Sequence, residues 1–299
     1  MDNIFIGVDG GASKTFLIIE DNTGNILSTG ISGPANISIS TEKAWTSINN
    51  ALNIALNKAG LNISDTNYNF YAGFGLAGLE VEKACQIFSN YQHPFKKLLL
   101  KSDAFTACYG AHGGNDGTIV IIGTGSIAYQ MIGERSVRIG GWGFPHGDEG
   151  SGAWLGLELA KLTFYYIDGR VNSCKLFDNV IKKFNGNVQD FVTWANSANS
   201  TDFATLAPLL IAALKYQDSI AVNLVTKAAD FINHLIYDLD KKAGTEERNL
   251  PLCMIGGIAP YIVPYMDACL KSRIVKPKYG PAKGAILFLK KFLNLNDII

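Results

Sequence analysis

Short apolar runs punctuated by glycine dominate the first thirty residues. Ile4-Phe5-Ile6-Gly7-Val8 ends in Asp9-Gly10-Gly11, Phe16-Leu17-Ile18-Ile19 follows almost at once, and Ile26 to Gly30 comes after the turn-forming Asp21-Asn22-Thr23-Gly24-Asn25. Three strands joined by two tight turns are predicted. The period then changes. Between Glu42 and Ala59 apolar residues recur at Ala44, Trp45, Ile48, Ala51, Leu52, Ala55 and Leu56, the spacing of an amphipathic helix. Strands are expected at Tyr68–Leu76 and Lys97–Lys101, and helices at Glu80–Tyr91 and Ala104–Ala111.

The opening pattern recurs near the start of the second half. Thr118–Ile122 runs into Gly123-Thr124-Gly125-Ser126, then come Ile127–Ile132, a turn at Gly133-Glu134-Arg135, and Ser136–Ile139. Such duplication predicts two related domains, 1–110 and 111–285, across a cleft, with a C-terminal helix 286–299 packing back on the first. The rest reads as mainly helical: Ser151–Tyr166, Ser173–Phe184, Asp190–Asn196, Phe203–Tyr216 with Pro208 interrupting it or starting a turn, Asp218–Ala243, Tyr261–Leu270 and Pro281 to about Leu293. Leu250–Ile255, ending at Gly256-Gly257, and the short Ile274-Val275 are the remaining strands.

Charge narrows the function. Twenty-six Lys plus Arg balance 26 Asp plus Glu, which argues against a nucleic-acid partner or an anionic membrane surface. No apolar run reaches the roughly 18 residues of a membrane span and the N-terminus lacks a signal-peptide pattern, so a cytoplasmic protein is expected. Five cysteines without a C-x-x-C pair read as free, mostly buried thiols, with Cys85 and Cys269 on inward helix faces.

The 31 glycines cluster where chemistry is expected. Gly10-Gly11 and Gly123-Thr124-Gly125 stand between strands rather than opening a helix, so neither is a dinucleotide fingerprint. A glycine hairpin instead offers backbone N–H groups in a concave turn, a nest for phosphate oxygens. Ser13 and Thr15 add hydroxyls and Lys14 a charge. Asp9, beside the first turn, suits a magnesium site, ahead of the alternative of a turn-forming aspartate. Asp103, after a strand and before a helix, is either the carboxylate that takes a proton from an acceptor hydroxyl or an ordinary N-cap. The loop Gly140–Gly152 holds Asp148, a candidate for binding substrate hydroxyls, and Glu149, which does the same or caps the next helix. Trp142 is core or a sugar platform, and His146 a hydrogen-bonded loop residue. Gly256-Gly257, with Gly284-Ala285, would let an adenosine lie against backbone, although close helix packing explains Gly284 as well.

Taken together, GVDGGASKT, SDAFTACYGAH, IIGTGS, GGWGFPHGDEGSG, MIGGIA and PAKGA resemble the amino-sugar kinases, N-acetylglucosamine kinase and bacterial glucosamine kinase, of the BadF/BadG/BcrA/BcrD ATPase group. The motifs run from residue 4 to 290. The resemblance implies an α/β protein of two ribonuclease-H-like domains, the actin-like ATPase, sugar kinase and Hsp70 fold, with Mg2+ and ATP in the interdomain cleft. It implies transfer of the γ-phosphoryl group to the 6-hydroxyl of N-acetyl-D-glucosamine or D-glucosamine. By the same resemblance Asp103 is the base, Gly10 to Thr15 and Gly123 to Ser126 are the phosphate turns, and Gly256-Gly257 the adenosine turn. Asn36, Asp148 and the Gly141-Trp142 loop become sugar contacts. One departure is Gly10-Gly11-Ala12-Ser13, where the family usually has Gly-Gly-Gly-Thr. A homodimer is compatible with this reading. The rival within the family is an ATPase activator of an acyl-CoA dehydratase or reductase, which shares an iron–sulfur cluster between subunits; Cys108 is the only cysteine near the domain junction. A sugar sensor without turnover is a third reading, disfavoured by the intact Asp9, Asp103 and both turns.

Overall fold

The computed structural model describes residues 1–293; positions 294–299 of the expected C-terminal helix lie outside them. The chain divides into two compact units, Met1–Gly117 with Met131–Ser136 and the stretch from Lys276 onward, and Thr118–Gln130 with Val137–Val275.

In the first unit the hairpin strands β1 (Asp2–Gly10), β2 (Thr15–Glu20) and β3 (Ile26–Ser32) are followed by α1 (Thr41–Ala59), β4 (Tyr68–Leu76), α2 (Glu82–Ser89), β5 (Lys97–Ser102) and α3 (Asp103–Ala111). The sheet order is β3-β2-β1-β4-β5, antiparallel through the hairpins and parallel from β1 to β5. α1 starts where the Ser40 hydroxyl accepts from the Lys43 N–H and stops at Gly60 in the left-handed conformation. Its apolar stripe, with Trp45, Ile48 and Leu52, joins Ile6, Val8, Leu17 and Phe74 in one core. The other sheet face carries the last helix, α12 (Pro281–Phe292), whose Ala282, Ile286 and Leu289 pack with Phe5 and Ile18. Its backbone crosses β1 so closely that a Cβ on Gly7 would stand 2.0 Å from the Ala282 carbonyl.

The second sheet, order β8-β7-β6-β9, is built from β6 (Gly117–Ile122), β7 (Ser126–Ile132), β8 (Arg135–Gly140) and, after a long helical insertion, β9 (Leu252–Ile255), which runs parallel to β6. The insertion comprises α4 (Gly152–Ile167), α5 (Lys175–Lys183), α6 (Val188–Ser197), α7 (Ser200–Ala204), α8 (Ala207–Leu214) and α9 (Ser219–Ala243). Then come α10 (Ala259–Ile262), α11 (Ala268–Ser272) and α12 (Pro281–Phe292). Val120, Ile122, Leu155, Phe177, Phe191 and Ile232 belong to the second core. A buried polar network ties it to the sheet: Gln130 donates to Thr118 Oγ1 (2.8 Å) and Asp240 Oδ1 (2.7 Å), and Arg273 donates to Asp240 Oδ2 (2.6 Å).

Four expectations are corrected. Phe203–Tyr216 is two helices, because Asn199 and Asp202 form a capping box that starts α7 and Pro208 opens α8, where its missing N–H leaves no bond unmade. Tyr261–Leu270 is likewise interrupted, by a 3-10 turn at Val263–Tyr265 containing Pro264, and Ile274 makes only an isolated bridge to Leu252. Of the thiols, Cys108 and Cys253 are buried, Cys85 and Cys174 half-buried and Cys269 exposed. Among the described residues no helix is long and apolar enough to cross a membrane.

Candidate active site

The first unit gathers two carboxylates and a cation at one end of its sheet. Asp9 leaves β1 just before the turn, and Asp103 opens α3, where Ser102 rather than Asp103 is the cap, its hydroxyl accepting from the Phe105 N–H. Asp103 Oδ1 accepts from the Ala104 N–H at 2.8 Å. Asp9 is pushed up to about 6, first by burial and then by the negative charge of Asp103, with the Lys14 ammonium pulling the other way. Neighbouring hard carboxylate oxygens are suited to Mg2+. Among the described residues no cluster of three or more metal-ligating side chains forms. A cation at Asp9 would therefore complete its shell with phosphate and water, the habit of Mg2+.

The turn after Asp9 closes through the Gly11 N–H donating to Lys14 O (3.0 Å), which leaves Ser13 and Lys14 exposed. It is held from behind, where the Ala35 N–H donates to Gly11 O and the Ala77 N–H to Gly10 O, both 2.9 Å. Thr15 is fully buried and its hydroxyl donates to Gly33 O at 2.8 Å, which braces the turn. Asn36 lies beside this brace, and its side-chain oxygen accepts from both the N–H (3.0 Å) and the hydroxyl (2.7 Å) of Ser38. Its amide oxygen thus shapes its own loop.

In the second unit the Gly123–Gly125 turn is anchored to the start of α4: the Gly152 N–H donates to Gly123 O (2.8 Å) and the Ala153 N–H to Thr124 O (3.1 Å). The turn's carbonyls are engaged, which leaves the N–H groups of Thr124 and Gly125 as its donors. The Ser126 hydroxyl donates to Glu149 O (2.8 Å) and its N–H to Asp148 Oδ1 (3.1 Å), which ties the turn to the Asp148-Glu149 loop. Asp148 is buried, with a positive φ of 66°, and its carboxylate lies against the Cα of Gly125. Burial, more than the nearby Glu149, raises its pKa, against the Ser126 bond. Glu149 is not the cap of α4; the Ser151 hydroxyl is, accepting from the Trp154 N–H. Trp142 is not core: it is 77% exposed, beside an exposed Gly141, with the Arg138 guanidinium 4.9 Å from its ring centre.

Thr124 and Gly257 line one pocket of about 530 Å³, large enough for a small organic ligand. Gly256 and Gly257 divide the labour. A Cβ on Gly256, at φ 107°, would stand 2.2 Å from Ile122 O, whereas Gly257 faces open space. Pro208, Ile211, Lys215 and Tyr261 form much of the remaining wall, and sequence reasoning missed them; the available signal was α8, apolar on more faces than one core contact requires. Gly284 lies elsewhere, packed in the first unit, where a Cβ would meet Thr106 O at 2.0 Å.

The chain is 32% identical to the glucosamine kinase of Vibrio cholerae over 97% of this chain and 96% of that one. It is 29% identical to the N-acetyl-D-glucosamine kinase of Dictyostelium discoideum over 85% of each. The crystal structure of a proposed N-acetylglucosamine kinase from Chromobacterium violaceum, 32% identical, superposes with a TM-score of 0.87, covering 96% of this chain and 98% of that one. The architecture is that of the actin-like ATPases and sugar kinases. With residues 6–288 matching one family from the first strand to the last helix, the chain belongs to the BadF/BadG/BcrA/BcrD ATPase family.

Proposed function

We propose that this protein is an ATP-dependent amino-sugar kinase that phosphorylates N-acetyl-D-glucosamine or D-glucosamine at the 6-hydroxyl. The observation that carries the reading is the Asp9–Asp103 pair: one half-buried carboxylate beside a phosphate-type turn, electrostatically coupled to a second at the start of a helix. Phosphoryl transfer needs those two functions, a cation ligand and a proton acceptor. The relatives named above, a glucosamine kinase and an N-acetyl-D-glucosamine kinase, supply the substrate class.

In this mechanism Asp103 accepts the proton of the sugar hydroxyl as its oxygen bonds to the γ-phosphorus and the bond to the β-phosphate oxygen breaks, releasing ADP. The Gly10–Lys14 turn orients phosphate through backbone N–H groups, the Ser13 hydroxyl and the Lys14 charge. Thr124, Gly125 and Gly257 hold the nucleotide, with Gly256 setting the bend and Thr15 and Ser126 bracing the turns. Asn36, Gly141, Trp142 and Asp148 are assigned to the sugar. Magnesium, held through Asp9, would offset charge on the phosphates.

The activator reading loses its ligand. Cys108 is fully buried, with its thiol hydrogen-bonded to Gly117 O (3.4 Å), and cluster ligation at a shared surface needs an exposed thiolate. Asp103→Asn tests the kinase directly: turnover falls about 10²–10⁴-fold with ATP binding retained. Near-wild-type turnover in that variant would end the assignment. A coupled assay on the two sugars side by side decides which is preferred.

A further inference from the structure

We propose that the first unit carries a second ligand site, between the β2–β3 edge and the start of α12, that binds a small organic monoanion with an apolar body. A pocket of about 500 Å³ opens there, and its chemistry is unlike the site described above. Glu20 is fully buried and accepts from two ammoniums, Lys283 and Lys290. All three side chains line the pocket. Two cations on one carboxylate leave a net charge of +1, and Lys290 is itself buried, its side chain only 9% exposed.

Among the described residues, the neighbouring carboxylate does not supply the missing negative charge. Asp21 is turned into its own loop, accepting from the Thr23 N–H (2.8 Å), the Thr23 hydroxyl (2.7 Å) and the Asn25 N–H (2.9 Å). The faces of Phe5, 4.5 Å from Lys290 Nζ, and Tyr279, 5.9 Å from Lys283 Nζ, offset part of the excess charge; a full charge held away from water is still better satisfied by a counter-ion. The N-terminus of α12 adds to the demand, because Gly280, Pro281, Ala282 and Lys283 line the same pocket and the helix dipole is positive there.

The walls choose the rest of the ligand. Ile18, Ile26 and Leu287 face the pocket. Ile26 is 57% exposed on a sheet-edge strand, an apolar surface that a ligand's hydrocarbon part would cover. A sugar phosphate would bury hydroxyls against these side chains without partners, so one carboxylate on a hydrocarbon or aryl body fits better.

Octanoate is the probe, with octanol and inorganic phosphate as controls, in calorimetric titrations of the whole protein. Saturable octanoate binding is expected, at least about tenfold tighter than either control. It should weaken about tenfold or more in Lys283→Gln, and likewise in Ile26→Asp, which sets a carboxylate on an exposed wall without disturbing the buried trio. The kinase site contains neither residue, so sugar-dependent ADP release in the absence of octanoate should be unchanged in both. Absence of saturable octanoate binding overturns the proposal. So does equal binding of octanol or of phosphate, or octanoate affinity untouched by both substitutions.

Discussion

Asp9 and Asp103 stand close enough that the charge of Asp103, added to burial, lifts Asp9 to about 6 from an ordinary 3.8. The pair is a strained arrangement in the protein alone, since a charged Asp9 is less stable in the fold than in the unfolded chain. A folded pKa above the unfolded one means the penalty is complete above pH about 6 and fades as the pH falls toward 3.8.

Asp9→Asn should therefore make the metal-free protein more stable at neutral pH, by up to about 3 kcal/mol for a two-unit shift. The gain should shrink between about pH 6 and 3.8. Kinase activity should be lost at the same time. Thermal melts in chelator across that pH range check it; a variant no more stable than the parent at neutral pH contradicts the strain.

Gly256 and Gly257 should respond oppositely to substitution. Gly256→Ala would drive a methyl onto Ile122 O in a backbone conformation that alanine disfavours, so about 2 kcal/mol or more of stability should be lost. Gly257→Phe projects into open space and should leave the melting temperature within a few degrees while raising KM for ATP about tenfold or more. Equal effects of the two on stability would refute this division.

Gly284→Ala should separate α12 from α3, because the added methyl would stand 2.0 Å from Thr106 O. A loss of about 1–3 kcal/mol is expected in urea unfolding. Because α3 begins at Asp103, kcat should fall as well. Unchanged unfolding would mean the two helices yield freely.

Asp148 provides a test between two roles. Asp148→Ala loses the acceptor for the Ser126 N–H and puts alanine at a positive φ, together about 2–3 kcal/mol. Asp148→Asn keeps an acceptor and tolerates that backbone, so it should stay near wild type in stability. If bracing the turn is the main role, the alanine variant raises KM for ATP more than KM for sugar. The reverse split would favour the sugar contact.

Much of the local structure was legible. The strands from β1 to β8 lie within a residue or two of the apolar runs that announced them, because glycine, asparagine and aspartate make turns by themselves. α1 was equally plain, its stripe and its caps all lying within one segment. Where Phe203–Tyr216 broke in two, Pro208 had signalled the interruption, and the capping box of Asn199 and Asp202 sets the start of the first helix before Phe203.

Asp9 and Asp103 could be singled out from their place at strand ends, and the glycine turns from their duplication, because backbone chemistry and residue type act over a few neighbours. Folding alone decided which polar groups the scaffold would engage: the Thr15 and Ser126 hydroxyls bond carbonyls 18 and 23 residues away. It likewise decided that two distant carboxylates would share a field and that α8 would wall the pocket. Desolvation, Coulomb energy and hydrogen-bond pairing depend on distances through space, which the order of residues along a chain does not contain.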